Sequence, residues 1–387
     1  MSRFLIAGGG IGGLAVALGL ARQGHRAHVL EATDQFAELG AGIQLAANAF
    51  HALDRLGVGD AVRAEAVHVD GLRLMDGLSG ATLAALPLGE RYRQRLGNTY
   101  AVVHRGDLYA PLLRACRAEP SVTLRAGATV TRYRATAEGV RVRLASGEEV
   151  AGDALIGADG IRSVVRQGLL GDGPARVVGH TTHRAIVPAE AVPAALRWPE
   201  VRLWAGPGWH FIHYPVSGGR ELNLVATQDD GATAALSGEP TPREEVLARF
   251  RELHPTPRAL LELGREWRTW TLGDREPVDR WADGRVVLIG DAAHPIQPYA
   301  AQGACQALED AVELAALLGP GTDPAMAFAR FTEVRRERVR RVQQAARWMV
   351  EELYHPAGEA AAARQALLSR LGTEELYDAL AWLHAYP

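Results

Sequence analysis

The stretch FLIAGGGIGGLAVALGLAR, residues 4–22, decides the fold. Its first four residues are apolar and predict a buried parallel strand, and residues 14–22 predict an apolar helix directly after the glycines. Between them the spacing Gly-x-Gly-x-x-Gly falls on Gly8, Gly10 and Gly13. Gly8 allows a tight turn, Gly10 lets a pyrophosphate approach the backbone, and Gly13 allows close packing of the helix on the strand. The phosphates of a dinucleotide would then lie at the positive N-terminus of the helix.

A second strand is predicted over residues 27–30, and Glu31 follows it, 18 residues beyond Gly13. A carboxylate here accepts hydrogen bonds from ribose hydroxyls and favours an unphosphorylated adenosine ribose, as in NAD or FAD. Strand, glycines, helix, second strand and acid occur in the required order. We therefore predict a Rossmann-type α/β domain that binds a dinucleotide rather than an ordinary glycine-rich turn.

Composition and charge indicate a globular protein without a surface for nucleic acid or membrane. The 387 residues suit two domains, 48% are hydrophobic, 22% are charged, and the formal net charge is −3. No apolar run reaches the ~18 residues of a membrane span, and the first strand begins at residue 4, so we expect a cytoplasmic protein. Cys116 and Cys305 are far apart, which supports neither a disulfide framework nor a redox-active dithiol.

A basic cluster near the C-terminus comprises Arg335, Arg336, Arg338, Arg340 and Arg341. Glutamates lie close by on the same predicted helix. We interpret the cluster as a solvated helical face rather than a polyanion site, which leaves no nucleic-acid partner.

Two later segments each combine an apolar strand with an Asp at its carboxyl end. Residues 150–166 contain Asp159 before a predicted helix, and residues 285–295 contain Asp291. The carboxyl ends of parallel strands are where open α/β sheets bind ligands. Either segment alone could also be a strand-to-helix turn with an N-capping Asp. The three segments together favour one nucleotide held by all of them.

This combination resembles the single-component, FAD-dependent aromatic hydroxylases. Their N-terminal Gly-x-Gly-x-x-Gly, central Asp-Gly and late Gly-Asp segments are matched by residues 8–13, 157–160 and 290–295. The last residues, Ala-Trp-Leu-His-Ala-Tyr at 381–386, resemble the tail of the salicylate and 3-hydroxybenzoate hydroxylase subgroup. The resemblance covers almost the whole chain.

The resemblance implies roles for three further side chains at the flavin nucleotide. Asp291 would bind the ribityl chain of FAD, and Asp159 would lie near the pyrophosphate. Arg105, in His-Arg-Gly-Asp-Leu at residues 104–108, matches the flavin-contacting arginine of the family. The alternative for Arg105 is a surface arginine before a helix capped by Asp107.

The chain contains no second Gly-x-Gly-x-x-Gly, because residues 206–211 fail at their last position. We therefore predict no dedicated nicotinamide-binding domain, and brief docking of NADH or NADPH on the flavin domain. This argues against the Baeyer–Villiger and N-hydroxylating monooxygenases, which resemble proteins with two nucleotide domains.

We predict a fold in which a discontinuous FAD-binding domain carries a second, β-rich substrate domain and C-terminal helices. Residues 71–97 and 176–270 hold most of the tryptophans and several short strand-like runs, so we assign them to a domain that covers the isoalloxazine. The predicted divisions are 1–70, 98–175 and 271–345 for FAD, 71–97 and 176–270 for substrate, and 346–387 for the C-terminal helical segment.

The run WHFIHYP, residues 209–215, is the first candidate for the substrate site. Alternation along a strand places His210, Ile212 and Tyr214 on one face and His213 on the other. The resembled family repeats the spacing His-x-x-x-Tyr-Pro, which matches His210 and Tyr214. We predict these two as catalytic residues, with His213 as the alternative. A hydrogen-bonded sheet residue is the alternative reading for either histidine.

The run PYAAQGA, residues 298–304, is the second candidate and resembles a family loop that passes beside the flavin. Gln302 supplies an amide that can donate to and accept from a phenol or carboxylate. Gly303 and Ala304 are small enough to bring backbone to the flavin ring. A helix N-terminus aimed at the N1–C2=O edge would stabilise the reduced, anionic flavin by about 1 kcal/mol. We interpret Cys305 as a packing residue rather than a nucleophile.

The resemblance implies that NAD(P)H reduces FAD, that O₂ adds to give a C4a-hydroperoxyflavin, and that an electron-rich ring attacks the distal oxygen. A phenol reacts best as phenolate, and because its pKa is about 10 the site needs a base. His210, with an ordinary pKa near 6.5, could take the proton directly or through Tyr214 while Gln302 holds the ring.

We expect the substrate to be a small phenolic or heteroaromatic acid and the protein to be a monomer or homodimer without a metal site. A larger fused-ring biosynthetic substrate is one alternative. A flavin dehydrogenase or oxidase is another, and a non-enzymatic flavoprotein is the third.

Overall fold

The computed structural model describes residues 1–37 and 41–386, which form four β-sheets and the helices that cover them. The strands are β1 (Arg3–Ala7), β2 (Arg26–Leu30), β3 (Gly42–Leu45), β4 (Gly71–Asp76), β5 (Thr82–Pro87), β6 (Ala101–His104), β7 (Val122–Arg125), β8 (Val130–Ala135), β9 (Val140–Leu144), β10 (Glu149–Gly152), β11 (Ala154–Gly157), β12 (Arg176–Pro188), β13 (Glu200–Gly206), β14 (Trp209–Val216), β15 (Glu221–Ala232), β16 (Ser237–Thr241), β17 (Trp267–Asp274), β18 (Ala282–Asp283) and β19 (Val286–Leu288).

The helices are α1 (Ile11–Arg22), α2 (Ala47–Arg55), α3 (Gly59–Glu65), α4 (Glu90–Leu96), α5 (Arg105–Ala118), α6 (Val164–Leu170), α7 (Arg243–Arg249), α8 (Pro255–Leu261), α9 (Gly303–Leu317), α10 (Pro324–Trp348), α11 (Gly358–Leu368) and α12 (Thr373–His384). Two short 3₁₀ turns near the site span Gly290–Ala292 and Pro298–Ala300, and a π-helical turn at Met349–Tyr354 continues α10. Among the described residues, no helix combines the length and the apolarity needed to cross a bilayer.

A six-stranded sheet in the order β18-β19-β11-β1-β2-β7 contains the N-terminal strands β1 and β2, and its strands are parallel except for β18. Residues 4–7 are fully or almost fully buried, which is why they are apolar without alternation. The predicted Rossmann-type α/β fold is confirmed. Helix α1 begins at Ile11 rather than at Leu14, since Gly10 is already its N-cap.

A second, eight-stranded sheet has the strand order β16-β17-β12-β15-β14-β13-β4-β5. The alternation predicted along β14 is present. On one face Trp209 packs against Phe250, the residue that follows α7. Both belong to an apolar core that also includes residues of α7 and α8. On the other face Tyr214 packs with Ala47 of α2 and Val102 of β6. The second face therefore meets the loops and helices of the parallel sheet.

The division into domains stays a prediction. The strands of the eight-stranded sheet come from residues 71–87 and 176–274, so the boundary drawn after residue 270 falls inside β17. The boundary drawn after residue 345 falls inside α10, which runs unbroken to Trp348.

The interpretation of the basic cluster as a solvated face is wrong for two of its arginines. The side chain of Arg335 is 3% exposed and pairs with both Glu309 and Asp310, and Arg338 pairs with Glu309 at 2.7 Å. Arg335 lies in the apolar stripe of α10 together with Phe331 and Val339. That helical spacing was the signal that it points inward.

Candidate active site

The glycines after β1 have the geometry that a phosphate loop requires. Gly8 has φ +99°, and a Cβ there would overlap the carbonyl group of Ala158 at the end of β11. A Cβ at Gly13 would overlap the carbonyl oxygen of Gly8, so α1 packs directly on the loop. Gly10 caps α1 with extended backbone and no side-chain acceptor. The first N–H groups of α1 are thus available to an anion.

Glu31 stands at the end of β2, beside this loop. Its Oε2 accepts from the backbone N–H of Gly9 at 2.6 Å, and its Oε1 accepts from the N–H and hydroxyl of Thr33 at 2.9 Å. These bonds hold the carboxylate where the adenosine ribose is predicted to lie, and each carboxylate oxygen can accept a further hydrogen bond.

Asp159 stands at the end of β11, and its observed partners belong to α6. It accepts from the hydroxyl of Ser163 and from the N–H groups of Val164 at 2.8 Å and Val165 at 3.2 Å. Burial raises the pKa of Asp159, although these bonds lower it. The carboxylate therefore orders the first turn of α6 together with Ser163, and the N-cap residue is Ser163 rather than the Asp considered above. Its contact with a pyrophosphate stays a prediction.

Asp291 is the middle residue of the 3₁₀ turn Gly290–Ala292, which follows β19. Its side chain is exposed to the cleft and has no hydrogen-bond donor among the described residues. The protein around it removes bulk water and raises its pKa, while the charges of His294 and Arg105 lower it. The turn itself is held from behind, because Asp310 accepts from the N–H of Gly290 at 2.9 Å.

Arg105 is the first residue of α5 and lies close enough to Asp291 to affect its titration. The helix is capped by His104, whose Nδ1 accepts from the N–H of Gly106 at 3.2 Å. Asp107 is therefore not the cap that the alternative reading of Arg105 assumed.

The N-terminus of α9 opens onto free space. A Cβ added at Gly303 would meet no atom within 4 Å, and Ala304 is partly exposed. Before it, Ala301 has φ +52°, a left-handed conformation that costs a residue with a side chain on the order of 1 kcal/mol. This bend turns the chain into α9 and sets the position of Gln302. The thiol of Cys305 has its pKa raised to about 12 by burial, in agreement with a packing role.

Gln302 is buried and held by only one end of its amide. Its Oε1 accepts from Asn48 Nδ2 at 2.9 Å and from Gln306 Nε2 at 3.0 Å. Its Nε2 is buried and has no acceptor among the described residues. The sequence suggested an amide that both donates and accepts. In the structure the acceptor is taken, so only the donor remains for a ligand.

His210 faces the loop that carries Gln302, and His213 does not. The ring centre of His210 lies 5.7 Å from that of Tyr299, in the turn before Gln302. Its Nδ1 lies 2.9 Å from Nε2 of His355, and its Nε2 has no partner within the described chain. His213 lies on the opposite face, where its Nε2 accepts from Trp204 Nε1 at 3.1 Å.

The titration of His210 differs from the expected one. Burial, with smaller contributions from His355 and His180, holds its pKa well below 6.5. The unliganded histidine is therefore neutral near pH 7 and is a weaker base than the sequence suggested. Tyr214 has its pKa raised by burial, so it stays protonated. It is also four residues from His210 along β14, about 13 Å of strand, which rules out a direct proton transfer between the two side chains.

Comparison with known proteins identifies the family. Residues 1–348 match the family described as FAD binding domain. The chain is 45% identical over 383 residues to 3-hydroxybenzoate 6-hydroxylase 1 of Aquipseudomonas alcaligenes. The match covers 99% of this chain and 97% of that protein. A crystal structure of Klebsiella pneumoniae HpxO complexed with FAD and uric acid matches with a TM-score of 0.89 and 28% identity over 99% of this chain and 97% of that one. A salicylate hydroxylase substrate complex matches with a TM-score of 0.80 and 27% identity, over 100% and 98%.

The chain belongs to this family of FAD-binding hydroxylases. It is an FAD-dependent aromatic hydroxylase that uses NAD(P)H as its reductant, and the resemblance drawn from its motifs is confirmed.

The residues of the hydroxylase fit FAD on structural grounds. Strands β19, β11, β1 and β2 are neighbours, so the residues at their carboxyl ends, Asp291, Asp159, Gly8 and Glu31, line one edge of the sheet. The first N–H groups of α1 and the carboxylate of Asp291, which has no partner among the described residues, lie at this edge, and α9 packs on both α1 and the turn of Asp291. An extended dinucleotide with a flavin at the α9 end fits this order of donors and acceptors.

Sequence reasoning missed three parts of this hydroxylase site. Glu309 and Asp310 of α9, with Arg335, form the buried support beneath Gln302 and the Gly290 turn. Arg184 of β12 shares a sheet face with Tyr214, and His355, after the π-helical turn, lies in hydrogen-bond contact with His210. None of these residues belongs to a recognisable motif. Only Arg335 could have been found from the sequence, because its helical spacing places it on the apolar face of α10.

Proposed function

We propose that this hydroxylase acts on a hydroxybenzoate and converts 3-hydroxybenzoate to the 2,5-dihydroxy acid, with one oxygen atom from O₂ placed para to the phenol. The relative at 45% identity is a 3-hydroxybenzoate 6-hydroxylase, and position 6 of that acid is para to its hydroxyl group. A phenolate is most electron-rich at its ortho and para carbons, so this regiochemistry also agrees with attack by the ring on an electrophilic oxygen.

The observation that carries the choice of an acid is the unpaired guanidinium of Arg184. Arg184 lies on the same face of the eight-stranded sheet as Tyr214, since it pairs with Val225, and Val225 pairs with Ile212. Its Nε is buried without an acceptor, and no carboxylate of the described chain pairs with it. Burial lowers its pKa, and Tyr214 is close enough to interact with it electrostatically.

Arg184 as a whole is half-buried, but its buried Nε lacks an acceptor, and an anionic ligand offsets that desolvation cost. Behind the guanidinium lies the Trp270 ring, whose centre is 5.6 Å from the guanidinium carbon. The contact with the Trp270 ring orients the guanidinium of Arg184 but does not neutralise its charge. We infer that the substrate carboxylate lies against Arg184.

The three predicted side chains then bind and deprotonate the phenolic part of the substrate. His210 presents its unpartnered Nε2 to the phenol and takes its proton. Gln302 donates through Nε2 to an oxygen of the ring substituents, and the hydroxyl of Tyr214, kept protonated by burial, donates a second hydrogen bond. Bound FAD supplies hydride acceptance from NAD(P)H and the oxygen-transfer chemistry. We propose the cytoplasm, where NAD(P)H is available, as the location, and a monomer or homodimer as the active form.

The experiment compares 3-hydroxybenzoate with its neutral amide in the wild-type enzyme and in Arg184→Met. For the wild type we expect NAD(P)H oxidation that yields hydroxylated acid with little peroxide. The substitution should raise KM for the acid roughly 30-fold, about 2 kcal/mol for a charge-assisted hydrogen bond, and leave the amide unaffected. Arg268→Met is the matched control, because Arg268 is the exposed neighbour of Arg184 on β17.

Three outcomes would overturn parts of this proposal. Peroxide without hydroxylated product would make the protein an oxidase for that ligand. Turnover of a purine-like heteroaromatic compound but no hydroxybenzoate would move the substrate class toward that of the uric acid complex. An equal rise in KM for the acid and the amide in Arg184→Met would show that the substrate carboxylate does not bind Arg184.

A further inference from the structure

We propose that His355 carries the phenolic proton from His210 to solvent. The inference rests on the proposed function, because it begins with the proton that His210 removes from the substrate. It assigns a role to a residue that no motif marks and that belongs to the C-terminal part of the chain, 145 residues from His210.

The first step of the path is a direct hydrogen bond. His210 Nδ1 lies 2.9 Å from His355 Nε2, within hydrogen-bond distance. The two nitrogens of an imidazole can take up a proton on one side and release one from the other. His210 can therefore receive at Nε2, which has no partner in the described chain, and release at Nδ1.

The path ends in an open cavity. A cavity of about 490 Å³ is lined by His355 and His180 together with the exposed residues Arg176, Asp229 and Glu351. His355 is only partly buried, and its Nδ1 has no hydrogen-bond partner among the described residues. A water molecule in this cavity can take the proton from it.

The transfer balances without another reactant. The phenolic O–H bond breaks as an N–H bond forms at Nε2 of His210, and the proton on Nδ1 of His210 passes to Nε2 of His355. His355 then loses the proton on its own Nδ1 to water. Rotation or reverse transfer restores the starting tautomers. The net change is one phenol converted to phenolate and one proton released to solvent.

The groups around His355 suit a carrier that does not store the proton. Burial, aided by the charge of His180, lowers the pKa of His355 to about 3. Facing it are His180 on β12, His210 on β14 and Tyr299 before α9, and Asp229, Glu351, Arg176 and Arg347 line the cavity. Tyr299 stays protonated, because burial raises its pKa. An imidazolium at His355 is therefore short-lived and delivers its proton onward.

The test follows proton release to a pH-indicator dye when FAD-loaded enzyme is mixed with 3-hydroxybenzoate in weak buffer. His355→Gln keeps a polar group near His210 but cannot pass a proton through a ring. We expect release to slow at least tenfold, and millimolar imidazole, which can enter the cavity, to restore the rate. His384→Gln is the control, since His384 is a buried histidine whose ring bonds to Tyr92 and which does not line the cavity beside His355.

Release at the wild-type rate in His355→Gln, or slow release that imidazole leaves unchanged, would overturn the relay. His355→Asn repeats the test should the Gln variant fail to fold. A wild-type enzyme that releases a proton through His355 but makes no hydroxylated product would end the proposed function alone. If the wild-type enzyme binds 3-hydroxybenzoate without releasing a proton, the relay is wrong, whichever product is formed.

Discussion

Two histidines three residues apart on β14 have different neighbours and different chemistry. His210 points toward Tyr299 and His355, and its Nε2 has no partner among residues 1–37 and 41–386. His213 accepts a hydrogen bond from Trp204 and lies among apolar side chains. The spacing of the strand alone puts them on opposite faces, but only the packing shows which face meets the loop of Gln302.

Asn substitutions at the two positions should separate catalysis from stability. His210→Asn should lower kcat by about 10²-fold or more, because it removes the base that we propose, with FAD content unchanged. His213→Asn should lower the free energy of unfolding by about 1–3 kcal/mol, because the indole N–H of Trp204 loses its acceptor, with kcat of the folded enzyme largely kept. Steady-state kinetics and thermal unfolding measure the two effects. The reverse pattern would place the substrate on the His213 face.

At the scale of elements, the flavin end of the site is supported by charges buried between α9 and α10. Asp310 accepts from the Gly290 N–H, from His294 Nε2 at 2.6 Å and from Arg335 Nε at 2.8 Å. Glu309 accepts from Asn48 at 2.6 Å, and Asn48 also donates to Gln302. One helix turn thus supports both the turn that carries Asp291 and the amide of Gln302.

Asp310→Asn should loosen this support. The variant leaves part of the charge of Arg335 unpaired in the interior, so we expect the free energy of unfolding to fall by about 3 kcal/mol and the Kd of FAD to rise at least tenfold. Fluorescence titration of apoprotein with FAD and chemical denaturation check the two values. Asp279→Asn is the control, since it removes an exposed partner of Arg340 and should cost less than about 1 kcal/mol. Unchanged FAD affinity in Asp310→Asn would show that the turn holds without its support.

At the scale of the whole molecule, the site exists only where the eight-stranded sheet meets the parallel sheet. The N–H of Gly42 donates to Asn223 Oδ1 at 2.9 Å across this junction, and a Cβ at Gly42 would collide with the ring of Tyr214. The junction and the cores on either side bury several neutral histidines, including His183, His213 and His384.

Those histidines predict loss of stability in mild acid. Burial lowers the pKa of His183 and His384 to about 4 and that of His213 to about 3. Below about pH 6.5 the unfolded chain binds protons at these positions and the folded chain does not. Stability is therefore complete above pH 6.5 and falls with decreasing pH toward 4, by about 1.4 kcal/mol per pH unit for each histidine.

We expect the Tm of the protein to drop between pH 6.5 and 5, above the range in which carboxylates titrate. His384→Gln should reduce the loss of stability per pH unit by the contribution of one histidine. Thermal scans in a series of buffers would show the difference. A Tm that stays constant down to pH 5 would mean that these histidines are protonated in the folded protein.

Local sequence determined the parallel FAD-binding fold, the glycine loop, the ends of β2, β11 and β19 and the alternation of β14, because these depend on neighbours within a few residues and on backbone constraints. The burial of Arg335, the free end of Gln302, the unpaired charge of Arg184 and the contact of His355 with His210 were decided by tertiary structure. They join residues as far apart as Asn48 and Gln302, 254 positions along the chain. A side chain's partners and its desolvation, and with them the low pKa of His210, exist only once such distant elements have packed.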